Sequence, residues 1–151
     1  MSWNAAYLET RIVSASPLQL VSILYEFGIV RVQEARMALS ARDVTARVRA
    51  LSKAFGILGE LECSLNLDAG GIMAANLSRL YRYMRNRLTE ANMCQSDEMF
   101  AEVEALLKTL GEAWDRISAS RDPQGTESPD VAWLAAQAAD IFDSPVQQWT
   151  F

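Results

Sequence analysis

The sequence predicts an all-α protein: an antiparallel four-helix bundle with an N-terminal apolar arm and a short extra C-terminal helix. Residues that favour helices, namely Ala, Leu, Glu, Arg and Met, dominate the 151 positions. Apolar residues recur at spacings of three and four along four long stretches, whereas the alternation typical of strands is nearly absent. Three of the four prolines follow residue 122, so little interrupts a helix before that point.

The first 15 residues lack a strong helix cap, yet they are too apolar to form a solvated tail. We therefore expect these residues to form an apolar arm. Its large apolar residues are Trp3, Tyr7, Leu8, Ile12 and Val13.

The first helix is predicted to begin at a capping box, in which Ser16 caps, Pro17 occupies the first helical position and Gln19 the third. Two adjacent apolar stripes follow at helical spacing. This is more apolar surface than a four-helix core normally uses, which favours a groove for a partner. The stripes comprise Val21, Tyr25, Gly28, Val32, Ala35 and Leu39, and Leu20, Ile23, Leu24, Phe27 and Val30.

The second helix is predicted to start near Asp43, a good N-cap residue. Its apolar stripe contains Val48, Leu51, Phe55, Leu58 and Leu65. Gly56 and Gly59 are costly in a helix interior, at about 1 kcal/mol each. We expect them to allow a close approach between helices, with Gly28 as a candidate opposite residue.

The segment 66–71 is predicted to end the second helix and turn the chain at Gly70-Gly71. The third helix then places apolar residues on one side and arginines over much of the rest. The apolar set is Met73, Leu77, Leu80, Tyr81, Met84, Leu88 and Ala91, and the arginines are Arg79, Arg82, Arg85 and Arg87.

The fourth helix is predicted to start at Ser96 or Asp97, and its outer face is acidic through Glu102, Glu104 and other carboxylates. Short connections make consecutive helices antiparallel neighbours. We therefore expect part of the arginine set of helix three to pair with helix four.

The composition after residue 118 changes and predicts three parts. Residues 1–118 form the bundle, residues 119–129 form a linker, and residues 130–151 form a tail. The tail begins with a short amphipathic helix over residues 130–142, capped at Ser128-Pro129-Asp130.

Several function classes fit poorly. The chain has no histidine, so an enzyme is disfavoured, and no residue pattern indicates a metal or a cofactor. The net charge of −5 disfavours nucleic acid as a partner.

Cys63 and Cys94 lack a disulfide or zinc pattern, which fits a reducing cytoplasm. The apolar stretch 18–32 is too short to cross a bilayer and contains Glu26 and Arg31, so membrane insertion is not expected.

Taken in order, these residues resemble the flagellin export chaperones of the FliS family, from about Tyr7 to Ile117. The motifs match with almost no gaps. They are Tyr7-Leu8-Glu9, Ala15-Ser16-Pro17, Leu24-Tyr25-Glu26, Gly70-Gly71, Ala75-Asn76-Leu77, Leu80-Tyr81, Tyr83-Met84, Arg87-Leu88, Ala91-Asn92 and Ala113-Trp114.

The resemblance implies a cytoplasmic chaperone that binds the C-terminal segment of flagellin and prevents premature polymerisation. It also implies delivery of flagellin to the flagellar export apparatus, and a role for Tyr7 in coupling to the export gate. The residues themselves leave open a generic helical adaptor or a module that forms a homodimer. The sequence departs from the family pattern at Leu67 and Ala69, where charged residues are usual, and in its longer, more apolar tail.

The apolar arm, the double stripe and the aromatic third helix together predict the partner-binding residues. These are Tyr7, Leu8, Ile12, Leu20, Ile23, Leu24, Phe27, Tyr81, Tyr83 and Met84. We further expect residues 130–142 to fold back onto the flagellin groove, or onto a second copy, when no client is bound.

Overall fold

The computed structural model describes residues 17–120, which form four α-helices joined by connections of two or three residues. In order, the helices are α1 (Pro17–Ser40), α2 (Val44–Cys63), α3 (Leu67–Cys94) and α4 (Asp97–Ser120). The prediction of an all-α helical bundle is confirmed for this part of the chain. The predicted arm, most of the predicted linker and the tail lie outside the described residues. Helix α4 continues through Ser120, two residues beyond the predicted end of the bundle.

Local side-chain chemistry sets the helix starts, as the sequence predicted. Helix α1 begins at Pro17. The backbone N–H of Ala46 donates to Oδ1 of Asp43 over 3.1 Å. At α4, the N–H of Met99 donates to the hydroxyl of Ser96 over 3.4 Å. Each side chain satisfies an amide that has no partner within its own helix.

The packing is cyclic: α1 packs against α2 and α4, and α3 packs against the same two helices. Arg36, near the end of α1, pairs with Asp97 at the start of α4, so these two helices run antiparallel. The start of α1 and the end of α4 therefore lie at the same end of the bundle as the connection between α2 and α3. We call this the terminal end, and the opposite end, with residues 40–44 and 94–97, the distal end.

The apolar core runs through the middle of the cycle, and both predicted stripes of α1 contribute to it. Leu20, Leu24 and Tyr25 have at most 1% of their surface exposed. A helix that packs against two neighbours must be apolar over a wide arc, and this accounts for the second stripe. The expectation that the stripe is surplus to the core is therefore wrong. Val48, placed in the core stripe of helix two, is 51% exposed.

Close approach between helices occurs at Gly28, which was predicted, and at Gly111, but not at Gly56 or Gly59. A Cβ added to Gly56 or Gly59 would meet nothing within 4 Å, so the expectation of a close contact there is wrong. A Cβ on Gly28 would lie 3.4 Å from Cδ1 of Leu107, and one on Gly111 would lie 3.4 Å from Cβ of Tyr25. Gly111 therefore serves the contact between α1 and α4. A Cβ on Gly28 would also lie 3.5 Å from Cγ2 of Ile57, so Gly28 serves contacts with both α4 and α2.

The glycine pair interrupts α3 and does not end α2. Helix α2 ends at Cys63, and Asn66 caps α3 by accepting from the N–H of Ala69 over 3.2 Å. After one helical turn, Gly71 adopts φ 57° and ψ −134°, a region that side chains with a Cβ avoid. Chain reversal thus occurs at residues 64–66, and Gly71 adds a bend just after it.

None of the four described helices combines the length and hydrophobicity that a membrane span requires.

Candidate partner-binding surface

Most of the predicted partner-binding residues that the structure describes lie inside the bundle. Six of them have at most 4% of their surface exposed and belong to the core cluster: Leu20, Ile23, Leu24, Phe27, Tyr81 and Met84. They stay predictions as partner contacts, because a partner could reach them only if elements of the protein moved apart. Tyr7, Leu8 and Ile12 lie outside the described residues.

Tyr81, which was predicted on the apolar side of helix three, lies in the centre of the core and forms a polar network there. Its phenolic oxygen is 2.5 Å from that of Tyr25, across the bundle from α3 to α1. The indole N–H of Trp114 on α4 donates to the same Tyr25 oxygen over 2.9 Å. Burial raises the pKa of both tyrosines, so both hydroxyls remain protonated. Tyr81 therefore has a structural role in the free protein.

Tyr83 is the predicted site residue that the structure places on the surface, with 43% of its area exposed. Its hydroxyl donates to Oε1 of Glu102 on α4 over 2.5 Å. Nε of Arg87 donates to the other oxygen of Glu102 over 2.7 Å, and Arg87 also bonds Glu90. The bonds from Tyr83 and Arg87 lower the pKa of Glu102, and the bond to Glu102 raises the pKa of Tyr83. The ring is thus oriented by its hydroxyl while its apolar face is available.

The arginines of α3 pair with both neighbouring helices. Arg87 pairs with Glu102 of α4, as predicted for part of the set. Arg82 and Arg85 instead pair with Glu62 of α2, the Arg82 contact measuring 3.0 Å. The bond from the hydroxyl of Ser78 to Glu62 adds a third contact at the same carboxylate. The positive charge of α3 is therefore partly neutralised on both flanks.

The outermost side chains of α3 form a continuous exposed row, which we call the α3 outer row. Its members share one face because they recur at helical spacing after the bend at Gly71. Ile72 is 81% exposed. Its apolar side chain and the ring of Tyr83 lie on either side of the positively charged Arg79. The row consists of Ile72, Asn76, Arg79, Tyr83 and Asn86.

A second exposed surface, at the distal end, was missed by the sequence reasoning. Four exposed apolar side chains lie there, on three helices: Met37, Val44, Val48 and Met93. An open groove of about 750 Å³ lies beside Met37, between α1 and α4. It is lined by Gln33, Arg36, Met37, Leu39, Ser40, Asp97 and Glu104. Sequence position could have indicated this surface, because Met37 and Met93 fall near helix ends and outside the apolar stripes.

The groove is crossed by ion pairs that join α1 to α4. Nε of Arg36 is 2.8 Å from Oδ1 of Asp97, and its Nη1 is 3.3 Å from Oε1 of Glu104. The hydrogen bond from Arg36 lowers the pKa of Asp97. Burial alone would raise the pKa of Glu104, but bonds from Lys108 and Arg36 bring it below its usual value. These charges satisfy one another within the described part of the chain, as expected of a structural contact.

The described residues thus offer surfaces for binding. Among residues 17–120, no three His, Cys, Asp or Glu side chains are grouped in a way that could hold a metal ion. The exposed surfaces combine apolar side chains with hydrogen-bonding groups, which suits recognition of another polypeptide.

Comparisons with known proteins agree with this architecture. The family model described as flagellar protein FliS matches residues 2–121. The chain is 41% identical over 112 residues to the flagellar secretion chaperone FliS of Salmonella typhimurium, covering 74% of this chain and 83% of that protein. It is 37% identical over 111 residues to the flagellar secretion chaperone FliSB of Pseudomonas aeruginosa, covering 74% and 88%. A third relative, from Vibrio cholerae and also described as flagellar secretion chaperone FliS, is 29% identical over 116 residues. The chain therefore belongs to the FliS family of flagellar proteins.

Proposed function

We propose that this protein is a cytoplasmic flagellar secretion chaperone that binds the C-terminal segment of flagellin. The observation that carries the proposal is the family match over residues 2–121, together with relatives described as flagellar secretion chaperones. The protein would act by binding alone. It would cover apolar surface that flagellin needs for filament assembly and release it at the export apparatus.

The described surface is compatible with such a client. A disordered segment that orders on binding must recover its ordering cost from a broad contact area. The α3 outer row offers an aromatic ring, an aliphatic side chain and hydrogen-bonding groups along one helix face. Tyr83 is the candidate anchor, because rigid aromatic side chains contribute most to such interfaces.

The buried candidates would contribute in a different way. The client would contact Leu20, Leu24 and Met84 only if elements of the bundle moved apart. Either the client or the arm that carries Leu8 and Ile12 would have to cause this movement. This part of the proposal predicts slower hydrogen exchange at the terminal end of α1 in the complex than in the free protein.

Coupling to the export gate is assigned to Tyr7, on the family resemblance. Replacing Tyr7 with alanine should lower flagellin secretion while leaving the chaperone–flagellin complex intact. Loss of the complex itself in this variant would instead assign Tyr7 to flagellin binding.

The experiment that tests the proposed function is filament growth from purified flagellin, followed by light scattering. An equimolar amount of the full chain should stop growth, and a substoichiometric amount should reduce it in proportion. Unchanged growth, accompanied by self-association of the added protein, would favour the helical adaptor or homodimer instead.

A further inference from the structure

We propose that residues 130–142 of this chain dock, as a helix, on the α3 outer row of the same molecule. The docking would place the apolar stripe of the tail on Ile72 and Tyr83. It would make the tail an internal cover for this face. The contact itself is independent of the proposed function, since it needs no client.

The α3 outer row, which would receive the tail, begins directly after an unusual backbone conformation. The Gly71 conformation (φ 57°, ψ −134°) introduces the bend directly before Ile72, and Ile72 lies largely in solvent at 81% exposure. The bend, which requires glycine, holds the Ile72 side chain in solvent. Ile72 therefore buries little apolar surface within the described bundle. Tyr83 lies 11 residues further on, about 16 Å along the helix at 1.5 Å per residue. The two side chains share one face, and they offer apolar surface on either side of Asn76 and Arg79.

The tail carries a stripe of similar length. Val131, Leu134, Ala138 and Ile141 or Phe142 recur at helical spacing, and the stripe spans 10 or 11 residues. As a helix this stripe would extend about 16 Å, which matches the distance between Ile72 and Tyr83.

The charges of the two segments are complementary. Residues 121–151 contain one arginine and five carboxylates: Asp122, Glu127, Asp130, Asp140 and Asp143. The receiving face contains Arg79 within its row and the side chain of Arg82, 68% exposed, beside it. An acidic helix is therefore attracted to this face.

The chain geometry allows the contact. Helix α4 ends with Ser120 at the terminal end of the bundle, where α3 begins, and α3 and α4 are packed neighbours. The nine residues 121–129 span up to about 30 Å when extended, which is enough to cross from α4 to the adjacent helix. The tail therefore reaches the α3 outer row without leaving its own bundle.

Disulfide trapping in the full chain tests the proposal. Both native cysteines are first replaced by serine, since Cys63 and Cys94 are exposed and would compete. Cysteines are then introduced at Asn76 and Ala138, near the midpoints of the two stripes, so that the two positions stay within about one helical turn of each other whichever way the tail helix runs. The control pairs Ala138→Cys with Ala105→Cys, an exposed position on α4, the helix that carries the tail.

The pair at 76 and 138 should oxidise to an intramolecular disulfide at least about fivefold faster than the control pair, because docking raises the local concentration of the two thiols. Adding Ile72→Asp or Arg79→Glu should slow the first pair severalfold and leave the control unchanged. Both substitutions are at exposed positions, and unchanged thermal unfolding verifies that the bundle is intact. Equal rates for the two pairs, a rate insensitive to Ile72→Asp, or a disulfide formed mainly between molecules would overturn the proposal.

Discussion

The phenolic oxygens of Tyr25 and Tyr81 lie 2.5 Å apart in the centre of the bundle, joining two helices that face each other across the core. Each ring is fully buried. The Tyr25 oxygen also accepts the indole N–H of Trp114, so three helices meet at one polar point. A polar contact of this kind in an apolar core fixes the relative positions of the helices, because any shift would leave a buried group without a partner.

Replacing Tyr25 with phenylalanine should destabilise the fold by about 1–3 kcal/mol, because the change removes the hydrogen bonds that Tyr81 and Trp114 make to the Tyr25 oxygen. Tyr81→Phe is the matched control. It removes one bond while the Tyr25 oxygen still accepts from Trp114, so a smaller loss of about 1 kcal/mol is expected. The midpoints of urea unfolding give both values. A Tyr81→Phe loss as large as that of Tyr25→Phe would show that the network is not centred on Tyr25.

The sequence sufficed to predict features that depend on neighbouring residues along the chain. The starts of the helices follow from Pro17, Asp43 and Ser96, because a cap acts on amides within three residues of itself. The antiparallel order of the helices follows from short connections. Helical spacing also leaves Tyr83 out of the apolar side of helix three, in agreement with its 43% exposure.

Features that depend on tertiary neighbours could not be predicted in this way. Tyr81 was predicted on the apolar side of helix three, but its hydrogen bond depends on α1 supplying Tyr25 opposite it. A Cβ added to Gly56 or Gly59 would meet nothing within 4 Å, whereas one added to Gly111, which belongs to no sequence motif, would contact Tyr25. Helical spacing shows which residues share a face, but not how many helices that face contacts.

The two kinds of glycine should respond oppositely to alanine. Gly71→Ala should cost about 1–3 kcal/mol, because alanine must adopt the strained backbone conformation at φ 57°. Gly56→Ala should stabilise the protein by about 0.5–1 kcal/mol, because alanine favours a helix interior and the added Cβ meets nothing within 4 Å. Thermal unfolding of the two single variants measures the difference. A stabilising Gly71→Ala would contradict the described bend.

The ion pairs at the distal groove should stabilise the fold in a pH-dependent manner. The pKa values of Asp97 and Glu104 are lowered in the folded protein from ordinary values of 3.8 and 4.5. Their contribution is therefore complete above about pH 4.5 and is lost as the pH falls through the lower folded values. Arg36→Met should cost about 0.5–1 kcal/mol at neutral pH, and the difference from the parent should disappear near pH 2.

Arg31→Met is the control for that pH profile, since Arg31 pairs with Glu34 only three residues away on the same helix. A pair within one helix contributes about 0.2–0.5 kcal/mol. Denaturant unfolding of the parent and both variants between pH 2 and pH 7 provides the comparison. A constant difference between parent and Arg36→Met across this range would exclude Asp97 and Glu104 as its cause.

Tyr83 should contribute to client binding without contributing much to stability. Tyr83→Ala should weaken binding of the flagellin C-terminal segment about tenfold, as expected when a surface aromatic anchor is removed. Met93→Ala, at an exposed position near the other end of α3, should leave the affinity unchanged. Isothermal titration calorimetry compares the two variants. Equal effects would argue against a localised contact at the α3 outer row.

Removing residues 122–151 should tighten flagellin binding, because the docked tail and the client would compete for Ile72 and Tyr83. Leu134→Asp in the full chain separates the two contributions, since it should weaken tail docking without shortening the chain or altering the surface that the client contacts. Competition binding with labelled C-terminal segment measures the affinities. An unchanged or weaker affinity after the deletion would contradict autoinhibition, whereas the disulfide experiment would still report on docking itself.

The central claim, that this FliS-family protein recognises the C-terminal segment of flagellin, is tested most directly by a pull-down of the full chain with two flagellins. One is intact and the other lacks its C-terminal segment. The account predicts a one-to-one complex with intact flagellin and none with the truncated form. Equal retention of both flagellins, or of neither, would contradict it.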